Sequence, residues 1–272
     1  IYKLEKLFFT LEKLYNNNLA FKSRVDESVN KIISLKINKN IINCHNSKSD
    51  LLNKIILAQE IVGCQNHKKI ESDAASKGIT LIKNQEKLLP YSLIDNTKIL
   101  ILDDNQTRID LLSDSIKKIS ELFSTNSNIT VKKINPSDSA QSNSLINLID
   151  EADLILLVTY NVNSEKKLYN TVVSYCNNKE RKIVTISARN PYDIAYLPES
   201  NTNIAIYGAV GFDQTNAIQA ALDVNIKTVV KMIFMNPNDG TVLLKPKGKL
   251  PVDIINYNTN EIIYKIGHGL TY

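Results

Sequence analysis

The sequence has few of the residues that define fibrous, disulfide-bonded or zinc-bound chains. Only 8 Gly and 7 Pro occur among 272 residues, which excludes a collagen-like chain and a flexible linker. The three cysteines, Cys44, Cys64 and Cys176, are widely spaced and form no C-x-x-C motif, so neither a disulfide framework nor a zinc ribbon is predicted. There is also no uninterrupted apolar run of about 18 residues, the length that a membrane-spanning helix requires.

The charge is moderate and evenly spread along the chain. There are 33 Lys and Arg against 28 Asp and Glu, a net charge of +5, and no basic run, so no nucleic-acid partner is predicted. Apolar residues make up 43% of the chain and charged residues 22%, as in globular proteins that bury a core. The chain does not begin with Met, and we expect it to start inside a longer polypeptide or after processing. Its first segment carries too many charges for a signal peptide. The sequence does not determine the compartment or the oligomeric state.

The first 78 residues have a helical pattern. A first amphipathic helix is predicted to stop at the Asn16 to Asn18 run, and a second to begin after Ser23, a favourable N-cap, and to end near Asn38. Further helices are predicted at 51–62 and 73–77. The apolar faces of the first two helices require a partner surface, and they would form an adhesive patch without one.

From Ile79 onward, short apolar runs alternate with amphipathic stretches. Predicted strands are at 98–102, 129–134, 153–159, 182–187, 203–207 and 252–255, and predicted helices are at 109–123, 144–149, 165–175, 214–222 and 226–234. This alternation predicts an α/β fold, an α/β/α sandwich with a mostly parallel sheet.

In such a fold, ligands bind where the strands end at their carboxyl edge. No G-x-G-x-x-G motif and no Walker loop occurs, so nucleotide binding is disfavoured and no cofactor is predicted. Asp103 and Asp104 follow the first strong strand and are interpreted as loop carboxylates, because Asp favours turns. The alternative is the acidic pair of a receiver domain, which holds Mg²⁺, but the later strand ends in Thr159 and Tyr160, where that domain has a phosphoacceptor Asp.

Two residues at this edge are candidates for substrate binding. Asn190 before Pro191 predicts an N-cap, with Asp193 in the first turn that follows. Arg189 is predicted to face the crevice, where its guanidinium can bind hydroxyls or a carboxylate. Asn161 is the second candidate.

A metal site can be imagined at Cys64-x-x-His67 together with Cys44 and His45. About twenty residues of helix-like sequence separate the two pairs, whereas zinc ligands converge with short fixed spacings. The sequence therefore predicts a loop cysteine and a surface histidine, and no metal.

Several short strings, in order, resemble the C-terminal half of family 3 of the glycoside hydrolases, in its β-N-acetylhexosaminidase branch. They are SRVDESV at 23–29, IVGC at 61–64, GITLIKN at 78–84 followed by LLP at 88–90, NPYD at 190–193, KGKLPV at 247–252 and GHGLTY at 267–272. The resemblance extends over about 250 residues.

The resemblance implies an α/β/α sandwich that follows a TIM barrel. It divides the chain into the barrel's last helices at 1–45, a linker at 46–90 and the sandwich domain at 91–272. In this family the nucleophilic Asp lies on the barrel, and in the hexosaminidase branch the acid/base is a His on a barrel loop. Neither is in this chain, and the long loop that supplies a Glu in the β-glucosidase branch is missing between Tyr160 and Ser164. No catalytic residue is therefore assigned, and half a site cannot perform retaining hydrolysis.

The implied function is that of the C-terminal part of a retaining β-N-acetylhexosaminidase. Its substrates would be terminal N-acetylglucosaminides, with peptidoglycan as an expected source, and its partner would be a TIM barrel in the same or another chain. The alternative is a stand-alone, non-catalytic carbohydrate-binding or interaction module. The exact glycoside and linkage are not determined by the sequence.

Overall fold

The computed structural model describes residues 2–39, 41, 48–208 and 216–272, with side chains at 4–39, 41, 51–208 and 222–272. Two compact units divide the chain, Ile1–Cys64 and Gln65–Tyr272. In the described parts of the chain, no helix has both the length and the apolar character needed to cross a membrane.

The first unit consists of helices. They are α1 (Tyr2–Asn17), α2 (Leu19–Asn38) and α3 (Lys48–Ile61). Helix α2 begins five residues earlier than predicted, because Asn18 rather than Ser23 is its N-cap and its side chain accepts a hydrogen bond from Phe21 N. No residue of α2 is buried, and the predicted apolar faces are exposed, with Phe8 65% and Ile33 42% accessible.

The second unit begins with α4 (Gln65–Gly78), which is longer than the predicted helix at 73–77. The strands are β1 (Thr80–Asn84), β2 (Tyr91–Ser92), β3 (Thr97–Asp103), β4 (Ser127–Lys133), β5 (Leu154–Thr159), β6 (Ile183–Ser187), β7 (Thr202–Ala205), β8 (Phe234–Met235), β9 (Ile254–Ile255) and β10 (Ile262–Tyr264). The helices are α5 (Gln106–Leu122), α6 (Ser142–Glu151), α7 (Lys167–Asn178) and α8 (Asn216–Ile233), with 3-10 helices at Ser139–Gln141 and Pro191–Tyr196.

Six strands form the main sheet in the order β1-β7-β6-β5-β3-β4. Every pairing is parallel except that of β1 with β7. The chain runs from β3 to β4 at the edge and then crosses to β5 on the other side of β3. The strand order therefore reverses between β3 and β5.

Alternate residues of the central strands supply two apolar layers, one on each face of the sheet. Ile99 and Ile101 pack into the layer that contains the buried residues of α5 and α8. Leu100 and Leu102 point the other way, into the layer formed with α6 and α7. Because successive side chains of a strand lie on opposite faces, a strand buried on both sides is apolar throughout. The predicted α/β class and α/β/α sandwich are confirmed.

The C-terminal tail packs against β1. Gly248 N donates to Ile79 O (3.1 Å), Leu250 N to His268 O (2.8 Å) and Leu270 N to Leu81 O (2.8 Å). A Cβ on Gly248 would lie 2.3 Å from the oxygen of Ile79, so only glycine fits there. Three of the strings that carry the family resemblance, at 78–84, 247–252 and 267–272, therefore meet in space.

The end of the sandwich differs from the prediction in one element. The predicted helices at 214–222 and 226–234 are a single helix, α8, with the first two predicted residues outside the described part of the chain. Residues 223–225, which the prediction left between the two helices, belong to α8. Asn225 Nδ2 donates to Ile206 O (2.7 Å), and Asp223 pairs with Lys227 one turn later.

Candidate functional site

The point where the strand order reverses is where ligands bind in doubly wound sheets. Here it lies between the carboxyl ends of β3 and β5. The loops that follow β3, β5 and β6 reach the same edge of the sheet because these strands are parallel. The charged and amide side chains of these three loops form the candidate site, which we call the crevice.

A buried ion pair lies below the crevice. Arg108, in the first turn of α5, donates from Nε to Asp103 Oδ2 (2.9 Å) and from Nη2 to Asp103 Oδ1 (2.5 Å). The same Nη2 also contacts Asp104. The exposed fractions of the side chains are 3% for Arg108, 0% for Asp103 and 25% for Asp104. The prediction of ordinary loop carboxylates was therefore wrong for Asp103, which is the last residue of β3.

The electrostatics of this pair follow from its burial. Loss of hydration raises the pKa of Asp103 to about 7, although the Arg108 guanidinium favours the ionised carboxylate. Burial alone would lower the pKa of Arg108, but its bonds to Asp103 and the charges of Asp103 and Asp104 raise it overall. Arg108 stays cationic, and removing it would leave the buried Asp103 carboxyl without its cation.

Three cations surround the ring of Tyr160, the residue that follows β5. The Arg108 guanidinium carbon lies 5.3 Å from the ring centroid, Lys166 Nζ 5.5 Å and the Arg189 guanidinium carbon 5.8 Å. Arg189 Nη1 donates to the Tyr160 hydroxyl (3.3 Å), and Lys166 Nζ donates to the Tyr160 carbonyl (2.5 Å). All three cations lie within the range of cation–π attraction, so the tyrosine links the buried ion pair to the exposed Arg189.

Asn161 lies beside this cluster. Its φ of 48° is in the left-handed region, which Asn adopts more readily than other non-glycine residues. Its Oδ1 accepts a hydrogen bond from Asn190 Nδ2 (2.9 Å). Asn190 in turn is the N-cap of the 3-10 helix Pro191–Tyr196, accepting from Tyr192 N, and this confirms the predicted cap.

Asp193 holds the loop after β5 in place by hydrogen bonds from both ends of that loop's first turn, at Thr159 and Val162. It lies in the first turn of the 3-10 helix, as predicted, but it is only 1% exposed. Its Oδ2 accepts from Thr159 Oγ1 (2.7 Å) and its Oδ1 from Val162 N (2.9 Å). Burial raises the pKa of this carboxyl in spite of those bonds. The loops after β5 and β6 are therefore tied together at two points, by Asp193 and by Asn190.

The structure places both candidate binding residues at the crevice. Arg189 is exposed and contacts Tyr160, and Asn161 contacts Asn190. The imagined metal site cannot be described as a whole, because Cys44 and His45 lie outside the described residues. Cys64 is half-buried and His67 exposed, and among the described side chains no cluster of three or more His, Cys, Asp or Glu could hold a metal ion.

Sequence reasoning missed Arg108 and Lys166. A signal for Arg108 does exist, because a cation in the first turn of a helix opposes the helix dipole and is favourable only with a carboxylate nearby. Asp103 and Asp104 stand five and four residues before it, respectively. Lys166 has no comparable signal, since its contact with Tyr160 depends on how the loop between them folds back.

Comparisons with solved structures give low sequence identities. A fungal multi-domain GH3 β-N-acetylglucosaminidase matches with a TM-score of 0.53 and 16% identity, covering 95% of this chain and 26% of that one. A mutant β-glucosidase from Listeria innocua in complex with laminaribiose gives 0.58 and 13%, with coverage of 96% and 40%. A β-glucosidase from Erythrobacter marinus gives 0.57 and 12%, with coverage of 80% and 36%. No protein-family model matches the sequence, and no curated protein sequence matches it either.

These likenesses concern the fold. The chain has an arrangement of helices and strands that also occurs within glycoside hydrolases, and it spans 26% to 40% of the length of these solved chains.

Proposed function

We propose that this chain is the C-terminal part of a family 3 glycoside hydrolase, a retaining β-N-acetylhexosaminidase that acts on terminal N-acetylglucosaminides. In this proposal, residues 1–45 are the last helices of a TIM barrel, 46–90 are a linker and 91–272 are the sandwich domain, with β1 at the end of the linker range joining the sheet of that domain. The barrel, in the same or another chain, supplies the nucleophile and the acid/base.

The observation that carries the proposal is the likeness of nearly the whole chain to part of a fungal GH3 β-N-acetylglucosaminidase. The ordered strings from 23–29 to 267–272 support it independently, because they are a likeness of sequence and not of fold. Three of them pack together around β1, so the residues that carry the resemblance are also residues that build the domain.

The two buried acids at the crevice, Asp103 and Asp193, support an assignment of catalysis to another part of the enzyme. Retaining hydrolysis requires a nucleophile and an acid/base that flank the glycosidic bond. Asp103 is engaged by Arg108, and Asp193 by Thr159 and Val162, and both are buried. Neither carboxylate is presented to a substrate.

The role that we propose for the crevice is substrate binding. Arg189 offers an exposed guanidinium, and Asn161 and Asn190 offer amide groups next to it. Hydroxyl and carbonyl groups of a sugar accept hydrogen bonds from such donors. Arg189 and Asn161 are therefore the proposed substrate contacts of this domain.

The proposal is tested by the intact mass and the activity of the protein purified from its native host. A barrel has about 250 residues, so a single-chain enzyme should have roughly twice the 30.6 kDa of this chain and should release the chromophore from a chromogenic N-acetylglucosaminide. A protein of twice the mass without this activity would contradict the proposal. A protein near 30.6 kDa that hydrolyses nothing, alone or with the proteins that co-purify with it, would also contradict it.

The second candidate is a stand-alone carbohydrate-binding or interaction module. The exposed apolar residues of α1 and α2 favour it, because such faces require a partner surface. A protein of 30.6 kDa that binds saccharides and has no catalytic partner would support this second function.

A further inference from the structure

Three tyrosines lie together beside the crevice. Tyr192 and Tyr196 belong to the 3-10 helix Pro191–Tyr196, and Tyr257 lies in the turn between β9 and β10. The rings of Tyr196 and Tyr257 are stacked, with centroids 4.7 Å apart and an interplanar angle of 23°. Partial burial, together with the nearness of Tyr196, Tyr192 and Asp193, raises the pKa of the Tyr257 hydroxyl. We call these three residues the tyrosine platform.

The platform is anchored on one side and open on the other. Tyr196 packs against the apolar layer formed with α6 and α7, which fixes the position of the stack. Tyr257 is 47% exposed and Tyr192 36% exposed. Aromatic rings held rigidly at a surface offer contact area at little cost in conformational entropy.

The 3-10 helix connects the platform to the crevice, because Tyr192 N donates to Asn190 Oδ1 (3.0 Å). Asn190 and Arg189 directly precede its 3-10 helix, and Asn190 is bonded to Asn161. Asp193 lies beneath, buried and engaged by two donors, so no free carboxylate faces the surface from this helix. A flat aromatic surface beside amide and guanidinium donors matches a sugar ring, which has an apolar C–H face and a rim of hydroxyl groups.

We propose that the tyrosine platform binds one sugar ring of a β-linked oligosaccharide whose neighbouring ring contacts Arg189 and Asn161. The inference rests on the proposed function in assigning a saccharide to the crevice, and it adds a second ring-binding position that is independent of catalysis. The occupant is an oligosaccharide rather than a monosaccharide, because the platform and the crevice are adjoining surfaces.

Calorimetric titration of the 272-residue chain with a β-linked trisaccharide of N-acetylglucosamine tests this proposal. Tyr257→Ala should raise the Kd by about fivefold or more, since it removes an exposed stacking surface, and Tyr192→Ala should weaken binding as well. Tyr257→Phe keeps the ring and should bind like the wild type. The matched control is Ile94→Ala, which truncates another exposed apolar side chain (57% accessible) next to the amino end of β3, and its Kd should not change.

The outcomes separate this inference from the proposed function. Absence of binding, an unchanged Kd in Tyr257→Ala, or equal weakening in Ile94→Ala would overturn the platform, even if the native-host protein hydrolyses N-acetylglucosaminides. Binding that depends on Tyr257, in a protein without hydrolytic activity, would support the platform while the proposed function fails. Tyr257→Phe retains the aromatic ring. A Kd raised to the level of Tyr257→Ala in this variant would therefore also count against stacking.

Discussion

At the scale of single residues, Arg189 is the most direct test of the crevice. Its side chain is exposed and its guanidinium contacts Tyr160, so truncation removes donors without opening the core. In the proposed full-length enzyme, Arg189→Ala should raise KM by about tenfold, the effect of losing one to two kcal/mol of a charged hydrogen bond, with little change in kcat. Lys98→Ala, which removes an exposed cation at the start of β3, is the control. Unchanged kinetics in Arg189→Ala would exclude the residue from substrate binding.

The Asp193 carboxyl makes the stability of the domain depend on pH. Burial raises its pKa in the folded state, so between the ordinary value near 4 and the raised value the folded chain holds a proton that the unfolded chain has lost. The contribution of Asp193 to stability is therefore greatest at acid pH and declines as the pH rises through the raised pKa. In Asp193→Asn, a neutral isostere, the free energy of unfolding relative to wild type should increase from pH 4 to pH 7 in urea titrations. A difference that does not vary with pH would contradict this.

The thiols of Cys64 and Cys176 should differ in reactivity. Cys176 is buried in α7, and its burial raises its pKa to about 12, so almost no thiolate forms at neutral pH. Cys64 is half-buried. Because alkylation requires an accessible thiolate, brief treatment with iodoacetamide at pH 8 should label Cys64 and leave Cys176 unlabelled until urea is added. Mass spectrometry of the peptides measures both, and equal labelling of the native protein would show that α7 opens readily.

At the scale of elements, α5 depends on its N-cap. Asn105 Oδ1 accepts a hydrogen bond from Arg108 N (3.1 Å), so the cap also positions the residue that pairs with Asp103. Asn105→Ala should lower the free energy of unfolding by about 1 kcal/mol, measured by urea denaturation. Asn105→Ser retains a capping oxygen and should cost much less. Equal losses in both variants would mean that the amide matters for some reason other than the cap.

The central strands were predictable because a strand buried on both faces is apolar without interruption. The structure places the central strands β3, β5 and β6 within two residues of the predicted bounds, and also β4, although this edge strand is largely exposed. β1 was not predicted, because its antiparallel partner β7 comes far later in the chain and nothing local signals the pairing. The break predicted within α8 was wrong because tertiary contacts of Asn225 compensate for a weak local preference, which sequence propensity does not include.

The candidate site was predictable in place but not in detail. The rule that ligands bind at the carboxyl ends of parallel strands identified the loops that contain Arg189 and Asn161. The contacts that organise these loops join residues far apart in sequence, such as Asp193 with Thr159 and Tyr257 with Tyr196. These contacts depend on how the layers pack, so they cannot be predicted from the periodicity of the sequence.

At the scale of the whole molecule, the exposed apolar faces of α1 and α2 determine how the 272-residue chain should behave in solution. Phe8 and Leu11 on α1, and Val29 and Ile33 on α2, are 42% to 65% exposed, and surfaces of this kind drive association. Light scattering should therefore give a weight-average mass above 30.6 kDa that rises with concentration. The double variant Phe8→Glu and Leu11→Glu should move the mass toward that of the monomer. The control Lys13→Glu changes the net charge by the same two units on the same helix but keeps the apolar face, and it should not. A clean monomer in the wild type would mean that these helices fold back on the rest of the chain in solution, and would remove the main argument for a partner surface such as a barrel.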